Sequence, residues 1–477
     1  MKHITICLVL TLMLTLASCS GTNVADSTVT AATASITDTA VHEADPFDEL
    51  QSLDFNGRDF RFIGRLQYED ELCIEEATGD VLDDAVYERN QRVMEKFNVN
   101  FKWEIGTNEY SDLGKTAILA GEDIYDAIMI HSRMAFNFMQ QELLHDWNTG
   151  MPYNDLAAPW WSQDMRENIA LGNKIYFMSG DISYYFLADT QIMLFNKQVF
   201  SDLGLDQPYK TVRDGEWTFD TMTNLAKQGT WDVNGDSIID PSDDHIGYIT
   251  TRWRGPNFCY IAQGTRLITL DGSKMPELTL NKERAEKIYT RYMNFLKSDN
   301  ALMNGEVEGP EMMQQWMSGR FMFFDGLLKY AADMRDMTND FGIIPLPKYD
   351  AAQEKYCTTP GAGINLFAVP VTVGDSECVS AVLEGLAILG YQDIIPTYYE
   401  TVLKSKYSRD EESAEMLDLI RENIIVDFGA QIYAHTVNKL NSIGYFLAAG
   451  NENFSSFYDA NEGIFLKYLD EVITLIS

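Results

Sequence analysis

The first folded stretch of the chain alternates. Asp59–Gly64 (DFRFIG) sets Phe60 and Phe62 two apart, the period of a strand with one face buried. Asp83–Phe97 (DDAVYERNQRVMEKF) changes period. Val86, Val93, Met94 and Phe97 recur near helical spacing, behind two acids that favour a helix start. Asn100–Ile105 reads as a second strand and Asp112–Ala120 as a short helix stopped at Gly121. Ala127–Ile130 is short and wholly apolar, which suits a strand buried on both faces. Strand, helix, strand, helix, strand predicts an open parallel α/β sheet. Ligands in such sheets sit beyond the carboxyl ends of the strands, and here that rule points to His131, Ser132 and Arg133.

The pattern continues with a strand at Gly172–Phe177, which runs into a polar-aromatic turn, Gly180–Tyr185. Ile192–Phe195 is a strand, Asn196–Leu203 a helix, and Trp217–Gln228 a helix that Thr218 can cap. Glu283–Leu296 and Glu311–Met317 are helical, and Phe321–Phe324 is a strand ahead of Asp325. Phe341–Pro347 and Gly363–Pro370 are extended apolar runs, joined by a polar connection that contains Thr358, Thr359, Pro360 and Gly361. From Cys378 onward the chain reads as helix, with Ser408 and Glu411 placed as a capping box. No later segment reads as long and apolar enough to span a bilayer, and no internal repeat is visible.

The N-terminus follows a different logic. Lys2 and His3 precede an uncharged run from Ile4 to Leu16, the length of a signal h-region and short for a membrane span. It ends Leu16-Ala17-Ser18-Cys19, which resembles the bacterial lipobox. Residues 1–18 are therefore expected to leave as a signal peptide. Cys19 is expected to carry the acyl chains, palmitate among them, that hold the protein at the outer face of the cell membrane. An ordinary cleaved signal with a chance cysteine is the alternative. Residues 19–45 are rich in Thr, Ala and Ser and read as a flexible linker, because they cannot bury enough surface to fold.

What remains, roughly 430 residues, exceeds a usual single core, so two lobes are expected. The net charge of −36 argues against nucleic acid or an anionic membrane surface as partner and fits a neutral or cationic ligand. Of six cysteines, Cys7 leaves with the signal. Cys73, Cys259, Cys357 and Cys378 stand far apart without a CxxC pair, which points to free thiols rather than a zinc or redox site.

The sharpest local motif is Asp232-Val233-Asn234-Gly235-Asp236-Ser237-Ile238-Ile239-Asp240-Pro241-Ser242-Asp243. Side-chain oxygens fall at Asp232, Asn234, Asp236, Asp240 and Asp243, with the Ile238 carbonyl between them, the spacing that wraps a loop around a hard cation. Calcium as a structural ion is the expectation, and a solvated acidic turn the alternative. Ser237 stands where glycine usually makes the sharp turn. Catalytic signatures such as HExxH, GxSxG, a P-loop or GxGxxG do not occur, although a carboxylate pair for glycoside cleavage leaves no local pattern. Tyr184, Tyr185, Trp253, Phe258 and Tyr260 lie in loop-like segments, where aromatic faces can stack on sugar rings. Trp217 and Trp316 sit on helical patterns and read as core; Trp160 and Trp161 suit either role.

Taken in order, Asp83–Asn90, Pro159-Trp160-Trp161, Gly180-Asp181, Phe195-Asn196-Lys197, Gly215–Asp220, the acidic loop, Gly319-Arg320, Phe341–Lys348 and Lys404–Tyr407 make the chain resemble a known class. It is similar to the extracellular solute-binding lipoproteins of bacterial ABC importers, the maltose-binding-protein-like family. The resemblance implies a type II periplasmic-binding-protein fold, with two α/β lobes joined by crossing strands and a helical C-terminus. It places residues 46–185 and 341–372 in one lobe, and 186–340 and 373–477 in the other. It implies binding rather than catalysis, of a solute that is most often a sugar or oligosaccharide, in a cleft between the lobes. A membrane permease would be the partner and the protein a monomer. His131, Ser132, Arg133, Asp181, Tyr184, Tyr185, Trp253, Asp325 and Gly361 are the residues expected in the cleft. A surface lipoprotein that holds a glycan without a permease, and a lipid-anchored glycosidase, are the rival readings.

Overall fold

The computed structural model describes residues 45–107, 110–251, 254–304, 310–334, 336–361, 363–403, 411–433 and 453–476. The signal segment, Cys19, the linker up to residue 44, Trp253 and Ser408 lie outside the described residues. The strands are β1 (Arg58–Arg65), β2 (Val99–Gly106), β3 (Ala127–His131), β4 (Phe177–Met178), β5 (Gln191–Asn196), β6 (Ile246–Thr251), β7 (Ile268–Leu270), β8 (Pro276–Leu278), β9 (Ala301–Asn304), β10 (Phe321–Leu327), β11 (Phe341–Ile344) and β12 (Asn365–Ala368).

They form two five-stranded sheets and a small hairpin, β7–β8. The first sheet runs β2-β1-β3-β12-β4. β1 lies parallel to β2 and β3, as the opening alternation predicts, and β12 enters antiparallel to β3 and β4. The second sheet runs β11-β5-β10-β6-β9. β6 is parallel to β9 and β10, while β5 is antiparallel to β10 and β11. β6 escapes a pattern reading because all six of its residues are buried, so it has no polar face to mark the period. The strand expected at Gly172–Phe177 shrinks to Phe177–Met178.

The lobe limits differ from the expected ones. β11 was placed with the first lobe, yet it pairs with β5 in the second sheet. β12 does lie in the first, so the chain crosses between residues 345 and 364. The helix Ser376–Leu389 was placed with the second lobe but packs on the first, against Val81–Phe97. A Cβ on Gly385 would meet Phe97 at 3.1 Å, Phe47 at 3.3 Å and Val93 at 3.5 Å. Glu411–Glu422 packs on β11, and Phe454–Ile476 on β8 and the helix Lys282–Leu296. One helical run, Ser376–Thr401, is long and apolar enough to cross a membrane, contrary to the expectation. With 83% of that window buried inside the protein, it is a core helix.

Most of the tryptophans are structural. Trp217 and Trp316 are fully buried. The Trp160 and Trp161 indoles donate to the two carboxylate oxygens of Glu384 at 2.8 and 2.9 Å, tying a first-lobe loop to the core helix. Cys73, Cys259, Cys357 and Cys378 are free thiols.

Candidate ligand-binding cleft

The parallel strands bring their carboxyl ends toward a common region. β1 runs into the tight turn Leu66–Glu71, and β3 ends at His131. From the second sheet, β6 leads to Arg254 and β10 to Lys329 and Tyr330, while β5 starts just after Asp189. Contacts join the two sets. The Tyr68 hydroxyl donates to Asp189 Oδ2 at 2.7 Å, and Lys329 Nζ reaches Asp189 Oδ1 at 2.7 Å. The Gly361 amide donates to the Asp189 carbonyl at 2.8 Å. Asp189 therefore sits where both lobes and the crossing segment meet.

Aromatic rings line the first-lobe side. Tyr185 lies edge-on to Tyr68 and stacks on Tyr184, each pair 4.5 Å apart. Both hydroxyls of the stacked pair donate to Asp70 Oδ2, at 2.7 Å from Tyr184 and 2.9 Å from Tyr185. Burial raises both phenols far above their usual range, so they act as neutral donors. Arg65 lies 4.5 Å from the Tyr68 ring, and Lys329 lies 5.8 Å from the same ring and 5.4 Å from that of Tyr185. Opposite, Arg254 donates to the Tyr330 hydroxyl at 2.9 Å.

A buried polar layer supports these groups. Glu71 is fully buried, accepts from the Ser183 hydroxyl, and accepts from Asn365 Nδ2 at 2.6 Å. Burial pushes its carboxyl up to about 7, against those hydrogen bonds. Arg89, also buried, donates to the Glu71 carbonyl at 2.6 Å and the Ile182 carbonyl at 3.3 Å, and burial lowers its pKa to about 10.

Of the residues expected in the cleft, four lie close together. His131 caps the helix Ser132–Gln140, its Nδ1 accepting the Arg133 amide at 3.1 Å. A Cβ at Gly363 would be 3.6 Å from His131 Nε2 and 3.7 Å from the Tyr68 hydroxyl. Tyr184, Tyr185 and Gly361 complete this group. Arg133 is half-buried on the following helix. Two expected residues, Ser132 and Asp181, serve the scaffold, and Asp325 lines a cavity with Gln191, Tyr248, Gly255 and Tyr292. Ser132 is fully buried, and its amide donates to the Ile364 carbonyl at 3.1 Å. Asp181 pairs with Arg421 at 2.6 Å and fastens the helix Glu411–Glu422; burial nevertheless raises it to about 6. Asp325 lies inside the second lobe, accepts from Tyr248 at 2.8 Å, and is raised by burial to about 7. Trp253 and the Phe258 side chain lie outside the described residues, and Tyr260 is core.

Sequence reasoning missed Arg65, Tyr68, Asp70, Asp189, Arg254 and Lys329. The strand-end rule would have found three of them, had it been applied to β1 and β10 as well as β3.

The acidic loop is held by hydrogen bonds of its own. Asp232 accepts the Gly235 amide at 2.6 Å and the Ser237 amide at 2.7 Å. Asn234 accepts from Asp236, Asp236 from Ile238, and Asp240 from Ser242. Asp244, fully buried, brackets the loop by accepting from Val233 and Asp240, each at 2.8 Å. Ser237 takes the left-handed turn at φ +66°, a cost of ~1–2 kcal/mol for a residue with a side chain. Among the described residues, no group of three or more His, Cys, Asp or Glu side chains is placed to hold a metal ion. Of the expected calcium ligands Asp232, Asn234, Asp236, Ile238, Asp240 and Asp243, the side chains of Asp232, Asn234, Asp236 and Asp240 accept from the loop's own amides.

No protein-family model matches the chain, and no curated protein matches it in sequence. Solved structures do match. The sugar-binding protein MalE from Xanthomonas citri superposes with a TM-score of 0.58 at 11% identity, over 87% of this chain and 97% of that one. An ABC substrate-binding protein from Listeria monocytogenes in complex with cycloalternan gives 0.54 at 13%, over 86% and 99%. The maltose/maltodextrin-binding domain MalE from Bdellovibrio bacteriovorus bound to maltotriose gives 0.53 at 12%, over 88% and 98%. The chain has the two-lobed fold of these binding proteins. In that fold the convergence on Asp189 lies where the lobes face each other, the place the strand-end rule assigns to a ligand.

Proposed function

We propose that the protein is an extracytoplasmic solute-binding protein. It captures a sugar or oligosaccharide between its lobes and presents it to the permease of an ABC importer. The observation that carries this is the Tyr68–Tyr185–Asp189–Lys329 constellation at the facing strand ends, in a fold shared with proteins solved with cycloalternan and maltotriose. Half-buried Tyr185 offers a ring face to the apolar face of a sugar, and half-buried Asp70 and Lys329 offer hydroxyls the acceptor and donor capacity that their internal bonds leave over. Lobe closure follows if the solute contacts both sides, because only a ligand bound better by the closed form shifts the balance. Cys19, acylated after removal of residues 1–18, would tether this domain at the membrane beside its permease. The chemistry ends at binding, without turnover of the solute.

A thermal-shift panel of mono- and oligosaccharides, peptides and polyamines tests the reading. A sugar at one hundred times its Kd adds about 2.7 kcal/mol to the folded state by mass action. The expected result is a raised melting temperature with at least one sugar. A shift with peptides or polyamines and with no sugar contradicts it, and hydrolysis of an oligosaccharide contradicts the transport role.

A further inference from the structure

We infer that the solute carries a carboxylate, so that the cleft is built for an acidic sugar such as a uronic acid or its oligomer. The inference rests on the sugar-binding reading and names the class of sugar. The chain as a whole repels anions, having 72 acidic and 36 basic residues. An anion site must therefore be assembled locally, and the cleft assembles one.

Three cations lie around one small region. Arg65 and Lys329 both lie against the Tyr68 ring, at 4.5 and 5.8 Å. Lys329 binds Asp189, whose carbonyl accepts the Gly361 amide. A Cβ on Gly361 would lie 3.7 Å from Arg254 Nη1, which brings the third cation to the same place. Most acids nearby are engaged by internal donors. Asp189 holds Tyr68 and Lys329, Asp70 holds two tyrosine hydroxyls, and Glu71 holds Ser183 and Asn365, while Asp325 accepts from Tyr248 and keeps a buried Oδ1 without a hydrogen-bond partner among the described residues.

The two arginines are the informative pair. Arg58, Arg61, Arg213 and Arg421 pair with carboxylates, while Arg89, Arg284 and Arg320 donate to backbone carbonyls inside their own lobes. Among the described residues, Arg65 instead donates to the Gly363 carbonyl and to Gln67 Oε1, and Arg254 donates to the Tyr330 hydroxyl. In a chain with twice as many acids as bases, these two half-buried guanidinium groups at the facing strand ends make their hydrogen bonds, among the described residues, to neutral acceptors, and Arg254 lies within electrostatic reach of the buried Asp325 carboxyl. A guanidinium fork matches a carboxylate in geometry and charge, and such a pair is worth most where water is excluded, as closure would do. The first-lobe side then holds the ring through Tyr185 and the acid through Arg65, and Arg254 meets the acid from the opposite side.

Matched pairs of sugars test this by calorimetric titration: D-glucuronate against D-glucose, D-galacturonate against D-galactose, and trigalacturonate against galactotriose, with succinate as a sugar-free carboxylate. We expect at least one uronate to bind ten-fold or more tightly than its neutral partner. Raising salt from 50 to 500 mM should weaken it several-fold. Arg65→Gln and Arg254→Gln should each cost the uronate ten-fold or more, at least five-fold more than they cost its neutral partner. Arg254→Lys should restore part of the loss, and unliganded melting temperatures should stay level, which excludes misfolding. Equal affinity for a neutral sugar and its uronate overturns the acidic class and leaves the sugar reading standing. Arginine variants that weaken both partners equally overturn it too. Succinate binding with no sugar bound overturns the sugar reading but keeps the anion site. No binding by any probe overturns both.

Discussion

At the scale of single residues, burial decides which side chains are chemistry and which are structure. Glu71 shows the consequence. Its carboxyl titrates near 7 in the fold and close to 4.5 when unfolded. Below the lower value both states hold the proton. Between the two only the folded state does, so stability falls as pH rises through that window. Asp325, raised to about 7, and Asp181 and Asp427, raised to about 6, act in the same direction. Melting temperature should therefore fall from pH 5 to pH 8. Glu71→Gln, which keeps the shape and the Ser183 and Asn365 contacts, should make that slope shallower. A slope unchanged in the variant contradicts the assignment. Residue-scale legibility was uneven. Tyr184 and Tyr185 stand out in the sequence because a polar-aromatic turn follows a strand, and in the structure they stack on each other beside Tyr68. Asp181 was misread, because nothing local reveals that Arg421 lies 240 residues along the chain and 2.6 Å away in space.

At the scale of elements, the strands with one polar face were legible and those without were not. β1 and β2 alternate and were read within one or two residues; β6 is buried throughout and was missed. β11 was recognised as a strand but given to the wrong sheet, since its apolar run carries no information about which neighbour pairs with it. Helix starts were clearer, because a cap has local chemistry. Thr218 Oγ1 accepts the Thr221 amide at 3.2 Å, as its position before the apolar face predicts. The 232–243 loop carries an element-scale prediction. Its oxygens already satisfy its own amides, and Asp244 clamps its two ends. Melting of the protein in EDTA should therefore match melting in calcium. A calcium-dependent rise of several degrees would show that the ion completes the loop, as the spacing suggests.

At the scale of the whole molecule, the two-lobed plan was legible from length and from the order of its landmarks, while the composition of the cleft was not. Net charge points to a neutral or cationic ligand, while the facing strand ends set Arg65, Arg254 and Lys329 among Asp70, Glu71 and Asp189. An average over the chain cannot describe a site of a few residues whose field is set within a Debye length, ~8 Å at physiological salt. The central claim is that a sugar sits between the lobes against Tyr185. Calorimetric titration of the sugar that raises melting most, into wild type and Tyr185→Ala, tests it directly. Wild type should bind one sugar per chain, and the variant should lose about ten-fold or more in affinity, the loss expected for an aromatic anchor worth at least ~1.4 kcal/mol. Equal affinity in the two proteins, with unliganded stability unchanged, would place the sugar elsewhere and contradict the account.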